Sequence, residues 1–162
     1  MNDKILAVQK TIDKIVDLFG VVLFTGVFFV ILLQVGMRFF NMPLVWSEEL
    51  ARYLFMWVSL IGWVFATRNG THIRVSIIAD HLPGLIKRVL GIANFILTII
   101  FAGVLCVYGF VMIQKNVDIP TITLFFSYAV VYAAVPFSTV LIIFYTVIRF
   151  IQKKQDDGGT LS

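Results

Sequence analysis

Two carboxylates and a guanidinium open an otherwise apolar stretch, Trp46-Ser47-Glu48-Glu49-Leu50-Ala51-Arg52-Tyr53-Leu54-Phe55-Met56-Trp57. Such groups could hold a cation, join a proton relay, or pair with one another. Arg52 follows Glu48 by four positions and Glu49 by three, so on a helix the three share a face. The uncharged run after them, Tyr53 to Thr67, holds fifteen residues before Arg68. Fifteen helical residues reach about 22 Å, whereas a bilayer core is roughly 30 Å thick. The helix is therefore predicted to start near Ser47 and to carry Glu48, Glu49 and Arg52 into the membrane boundary. Ionisable groups are expensive there and mark a partner or a function.

Two readings of this triad stand side by side. In the first, Ser47 caps the helix, the carboxylates occupy its first turn, and the helix dipole favours them there. Arg52 then snorkels back toward them, because helical side chains lean toward the N-terminus. In the second, the charges contact another membrane protein.

The elements that must position these residues follow from composition. The chain has 162 residues, is 60% hydrophobic and only 14% charged, and its mean hydropathy is +0.97. Soluble domains average about 45–50% apolar and roughly 25% charged residues. The expected fold class is an all-α integral membrane protein, a single four-helix transmembrane domain over 1–162. Its spans are predicted at about 18–39, 47–67, 88–113 and 121–148. The apolar runs do not alternate, which excludes barrel strands. The first run is too long for a signal-peptide core and lacks a small-x-small cleavage site, so it is expected to remain as a span.

Lysine and arginine set the orientation. Ten of the thirteen fall in the N-terminal segment, the second loop and the C-terminal tail; only Arg38, Arg52 and Lys115 fall on the other side. This split predicts cytoplasmic N- and C-termini and places Glu48 and Glu49 at the periplasmic mouth of span two. It also explains the net charge of +4 without nucleic acid, which would require a basic folded surface. Ile5, Val8, Ile12, Ile15 and Phe19 repeat at helical spacing, so residues 1–17 either lie along the interface or, as favoured here, lengthen the first helix. Residues 71–84 are read as an amphipathic cytoplasmic loop, with Val75, Ile78 and Leu82 on one face.

Other candidates give little chemistry. Cys106 is a lone thiol in an apolar run, read as a packing residue. His72 and His81 lack the companions of a zinc site, and no histidine lies within a span to ligate haem. His72 with Arg68 and Arg74 is assigned to phospholipid headgroups or a protein surface. Asn94, Thr98, Ala102 and Cys106 recur every four residues, as do Ser59, Gly62 and Ala66 nearly, which suits close helix packing. Pro136 is expected to kink span four. No Asp, Glu, Lys, Arg or His lies at mid-membrane, so the chain is poorly equipped as a pump, and no nucleophile–base pair or phosphate loop points to an enzyme.

Trp46-Ser47-Glu48-Glu49-Leu50-Ala51-Arg52-Tyr53, then Trp57 and Gly62, then Arg68-Asn69-Gly70-Thr71-His72-Ile73-Arg74-Val75 resemble the small membrane subunit (DctQ-like, Q subunit) of TRAP, tripartite ATP-independent periplasmic, transporters. Ser76 departs from the acidic residue expected there. The resemblance implies sodium-coupled symport of an organic acid, of the sialic acid or C4-dicarboxylate class, across the bacterial inner membrane. It implies a hetero-oligomer in which a large elevator-type membrane subunit carries substrate and sodium, while a periplasmic binding protein docks transiently to deliver the acid. The small subunit would brace the large one, with Trp46, Ser47, Glu48, Glu49, Arg52, Arg68, His72 and Arg74 as its partner or structural motif. No cofactor, metal or substrate residue is implied in this chain. The alternatives are a small homo-oligomeric four-helix exporter, or an assembly subunit of another membrane complex.

Overall fold

A computed structural model describes the backbone of residues 3–69 and 84–159, and the side chains of 7–69 and 89–152. The expected loop 71–84, with His72 and Arg74, lies outside the described residues apart from Gly84, where a helix begins.

Among the described residues, five helices follow in order: α1 Asp3–Phe39, α2 Val45–Asn69, α3 Gly84–Asn116, the short α4 Tyr128–Tyr132, and α5 Ala134–Gly159. α4 and α5 together supply a fourth apolar segment, Tyr128–Gln152, so four segments among the described residues are long and apolar enough to cross a bilayer. The protein is an all-α, multi-pass membrane protein. The amphipathic N-terminal pattern continues into α1 without a break, giving one helix of 37 residues, about 55 Å long.

α1 ends in a chain reversal that its sequence encodes. Asn41 takes a left-handed conformation, φ 54°. The Asn41 N–H donates to the Arg38 carbonyl at 3.2 Å, and the Met42 N–H reaches back to the Met37 carbonyl at 3.2 Å. This is a Schellman closure, with asparagine tolerating the position that glycine usually fills and Pro43 barring further helix.

α2 packs against α1 on one side and α5 on the other, and α3 packs against α5. α2 and α5 are thus central, with α1 and α3 on the flanks. Val16, Val64, Ala102, Ile142 and Tyr145 form the buried cluster where they meet. Phe19, Trp57 and Phe137 lock α1, α2 and α5 through mutual ring contacts of 5.8–6.0 Å. Stacked Phe95 and Phe150, 4.3 Å apart, tie α3 to α5. The outer faces of α1 and α3 leave large apolar side chains exposed, among them Val22, Phe28, Leu97 and Tyr108. Of the small-residue stripes, Ala102 enters the core, whereas Ser59, Gly62 and Asn94 face outward.

The fourth helix starts later than expected. The apolar run was predicted to enter span four at 121, yet helix begins only at Tyr128. Residues 117–127 instead form a compact loop closed by an antiparallel bridge between Pro120 and Ser127. Hydropathy alone cannot separate such a run from helix; Pro120 and the β-branched Thr121, Ile122 and Thr123 tip it away from helix. The proline expected to disturb span four does so: Pro136 cannot donate to the Tyr132 carbonyl, and the helix is interrupted at Ala133. Thr139 bonds back into its own helix, donating to the Val135 carbonyl at 2.9 Å and the Pro136 carbonyl at 3.1 Å.

Candidate functional site

α2 carries a polar cluster at each end. At its start, Glu49 is buried and turns toward the 117–127 loop. It accepts the Ile122 N–H at 3.1 Å and the Thr123 N–H at 2.8 Å, and also the Thr123 hydroxyl. One turn along α2, the Tyr53 hydroxyl donates to the same carboxylate, and its ring packs on Phe126 and Tyr128. Backbone donors thus hold an anion that pairs with no cation among the described residues, an arrangement that suits a carboxylate taken out of water. Glu49 thereby fastens the loop to the end of α2.

The other members of the triad separate from it. Glu48 is exposed and lies 3.9 Å from the equally exposed Arg38, a contact of little energetic weight. Arg52 is exposed and pairs with no carboxylate among the described residues. The expected return of Arg52 to Glu49 is therefore not made, because the loop's donors occupy that carboxylate instead. Ser47 is not at the helix start: α2 begins at Val45, and the buried Ser47 hydroxyl donates to the Leu44 carbonyl at 2.7 Å. Trp46 is exposed beside it.

Arg68, at the other end of α2, gathers α1 and α5. Its Nη1 lies 2.6 Å from Asp17 and 3.8 Å from Asp13, and its guanidinium stacks 4.9 Å from the Phe65 ring. The Tyr145 hydroxyl donates to Asp13 at 2.6 Å, and Arg149 donates to the Thr67 carbonyl at 3.4 Å. The sequence reading placed Arg68 with the second loop and missed this network. Its signal was the i, i+4 pair Asp13 and Asp17 on the amphipathic face of α1.

The two clusters define two planes. Glu49 to Arg68 covers about 28 Å along α2, Asp17 to Arg38 about 32 Å along α1, and Tyr128 to Arg149 about 32 Å along α4–α5. Each matches a bilayer core of roughly 30 Å. Between them, from Tyr53 to Thr67, α2 has no ionisable side chain except the phenol that holds Glu49. The described residues contain no group of three or more His, Cys, Asp or Glu able to hold a metal.

The sequence has recognisable relatives. Residues 27–155 match the family described as tripartite ATP-independent periplasmic transporters, DctQ component. The chain is 31% identical over 137 residues to the sialic acid TRAP transporter small permease protein SiaQ of Vibrio cholerae, covering 84% of this chain and 79% of that one. It is 30% identical over 104 residues to the sialic acid TRAP transporter permease protein SiaT of Haemophilus influenzae, covering 64% of this chain and 16% of the relative. Over 67 residues it is 28% identical to the C4-dicarboxylate TRAP transporter small permease protein DctQ of Pseudomonas aeruginosa, covering 41% of this chain and 32% of the relative. With the family match spanning residues 27–155, and with four apolar membrane-crossing segments among the described residues, the protein belongs to the DctQ family, the small membrane subunits of TRAP transporters.

Proposed function

We propose that this chain is the bracing subunit of a sodium-coupled importer of an organic acid in the bacterial inner membrane, with both termini cytoplasmic and the Glu49 end facing the periplasm. The observation that carries the reading is the distribution of polarity. The buried polar contacts of α2 lie in its end turns, and the stretch between them offers neither an ionisable site nor a broken helix to a substrate or ion. A chain so built transmits position rather than solute. The substrate and sodium sites then belong to a large membrane subunit. The SiaT relative supports that partnership, because this chain matches only 16% of its length and the remainder is available for such a subunit. A periplasmic binding protein delivers the acid. The substrate class is sialic acid or a C4-dicarboxylate, the acids named for the relatives.

Reconstitution in liposomes tests this. Uptake is expected only when this chain, the large subunit, a loaded binding protein and an inward sodium gradient are all present. Uptake by this chain alone, or undiminished uptake without it, overturns the proposal. Orientation is read separately, by labelling single cysteines placed at Lys115 and at Lys153 from either side of intact cells.

A further inference from the structure

The 117–127 loop is non-helical, apolar, and at the same level as Glu49. Non-helical backbone at membrane depth is tolerated only where its polar groups are satisfied within the protein. This loop meets that condition over its first half. Ile119 N–H donates to Asn116, Thr121 N–H to Phe126, and Ile122 and Thr123 N–H to Glu49, while Pro120 has no N–H to place. The Thr121 hydroxyl sits between the Leu124 and Phe126 carbonyls at 2.7 and 2.8 Å. A loop made for water needs none of this closure, since water would satisfy the same groups.

Its side chains point the same way. Ile122 is 85% exposed and Phe125 fully exposed at the tip. The α1–α2 connection at the same end exposes Phe39, Phe40 and Met42. Three exposed cations, Arg38, Arg52 and Lys115, outnumber the two exposed acids, Glu48 and Asp118, around these apolar groups. Apolar tips with a basic fringe, set one bilayer thickness from the opposite polar plane, complement an anionic lipid surface.

We infer that the 117–127 loop is a membrane-interface anchor: Ile122 and Phe125 enter the acyl-chain boundary of one leaflet, Arg38, Arg52 and Lys115 meet its phospholipid headgroups, and Glu49 holds the loop in that pose. The inference rests on the helices crossing a bilayer. It does not depend on which face is outside or on transport, so the uptake assay and the following test fail independently.

Nitroxide labels at single cysteines read the outcome, in full-length chain carrying Cys106→Ala, in vesicles of phosphatidylethanolamine and phosphatidylglycerol, with and without the large subunit. Labels are placed at Phe125→Cys, at Ile122→Cys as a second site, at Val22→Cys as the lipid-facing standard, and at Asp118→Cys as the aqueous standard. Phe125 and Ile122 are expected to match Val22, accessible to oxygen and shielded from a water-soluble nickel chelate. Adding Glu49→Ala is expected to shift them toward Asp118. Nickel accessibility in the otherwise intact chain overturns the inference. So does shielding from both reagents, alone or with the large subunit, because a protein partner then covers the tip.

Discussion

Gly109 on α3 offers a sharp test of how the flanking helix is seated. A methyl group built there would lie 2.9 Å from Pro136 Cδ, 3.2 Å from Val135 Cγ1 and 3.3 Å from the Pro136 nitrogen. Optimal carbon contacts lie near 3.5–4.0 Å, so α3 must retreat by about 0.5–1 Å. The proline ring and the backbone beneath it cannot swing aside as a free side chain would. Overpacking of this kind costs about 1–3 kcal/mol. Alanine also raises helix propensity over glycine by about 1 kcal/mol, which partly masks the clash. Gly103 supplies the reference, since it lies on the same helix and has nothing within 4 Å of an added methyl. Gly103→Ala should show the propensity gain alone. Gly109→Ala should then be less stable than Gly103→Ala by about 1–3 kcal/mol, roughly 5- to 150-fold in the unfolding equilibrium. Steric-trap unfolding in bicelles measures both, and combining Gly109→Ala with Pro136→Ala should recover part of the loss. Equal stability of the two alanine variants would refute the tight α3–α5 seat.

At the Arg68 network, Tyr145→Phe removes the donor to Asp13 and should cost about 1 kcal/mol in the same unfolding assay, near the range for polar contacts in membrane helices. Asn41→Val forces a β-branched residue into the left-handed position and should cost about 1–2 kcal/mol, whereas Asn41→Gly should be neutral or stabilising. Glu49→Ala should speed hydrogen exchange at the Ile122 and Thr123 amides on the order of tenfold or more, read by mass spectrometry, while α3 amides stay protected. Exchange unchanged at those two amides would show that the carboxylate does not hold the loop.

The four apolar segments were legible because their length and uniform hydropathy leave few alternatives in a bilayer, and the amphipathic N-terminal pattern is helical from Asp3 onward, as part of α1. Motifs at both ends of α2 were enough to point to the family. Glu49 was visible as an unusual residue, but its loop donors were not, since they lie 73 and 74 positions away and a helical wheel offers only neighbours such as Arg52 and Tyr53. The same holds for Arg68, which finds its acids more than 50 positions upstream. The 117–127 loop was hidden by its own greasiness. Only Pro120 and the threonines argued against helix, and a periodicity argument gives them little weight. The Schellman turn also went unread, although Asn41 and Pro43, a residue that tolerates the left-handed position and a helix stop two apart, carried its signal.

The distance along the chain between Glu49 and its donors has a consequence for biosynthesis. Ribosomes add about 5–20 residues per second, so the 73 positions to Ile122 take ~4–15 s to appear. During that interval α1 and α2, joined by the tight turn at Asn41, already form a helical hairpin in the translocon or the lipid, with the Glu49 carboxylate at its rim. Tyr53, the one donor on α2 itself, is on hand from the start. It serves as a temporary custodian of the charge until the late loop arrives and closes over it. A chain lacking that hydroxyl is therefore expected to suffer first in insertion yield, before any defect appears in the finished protein.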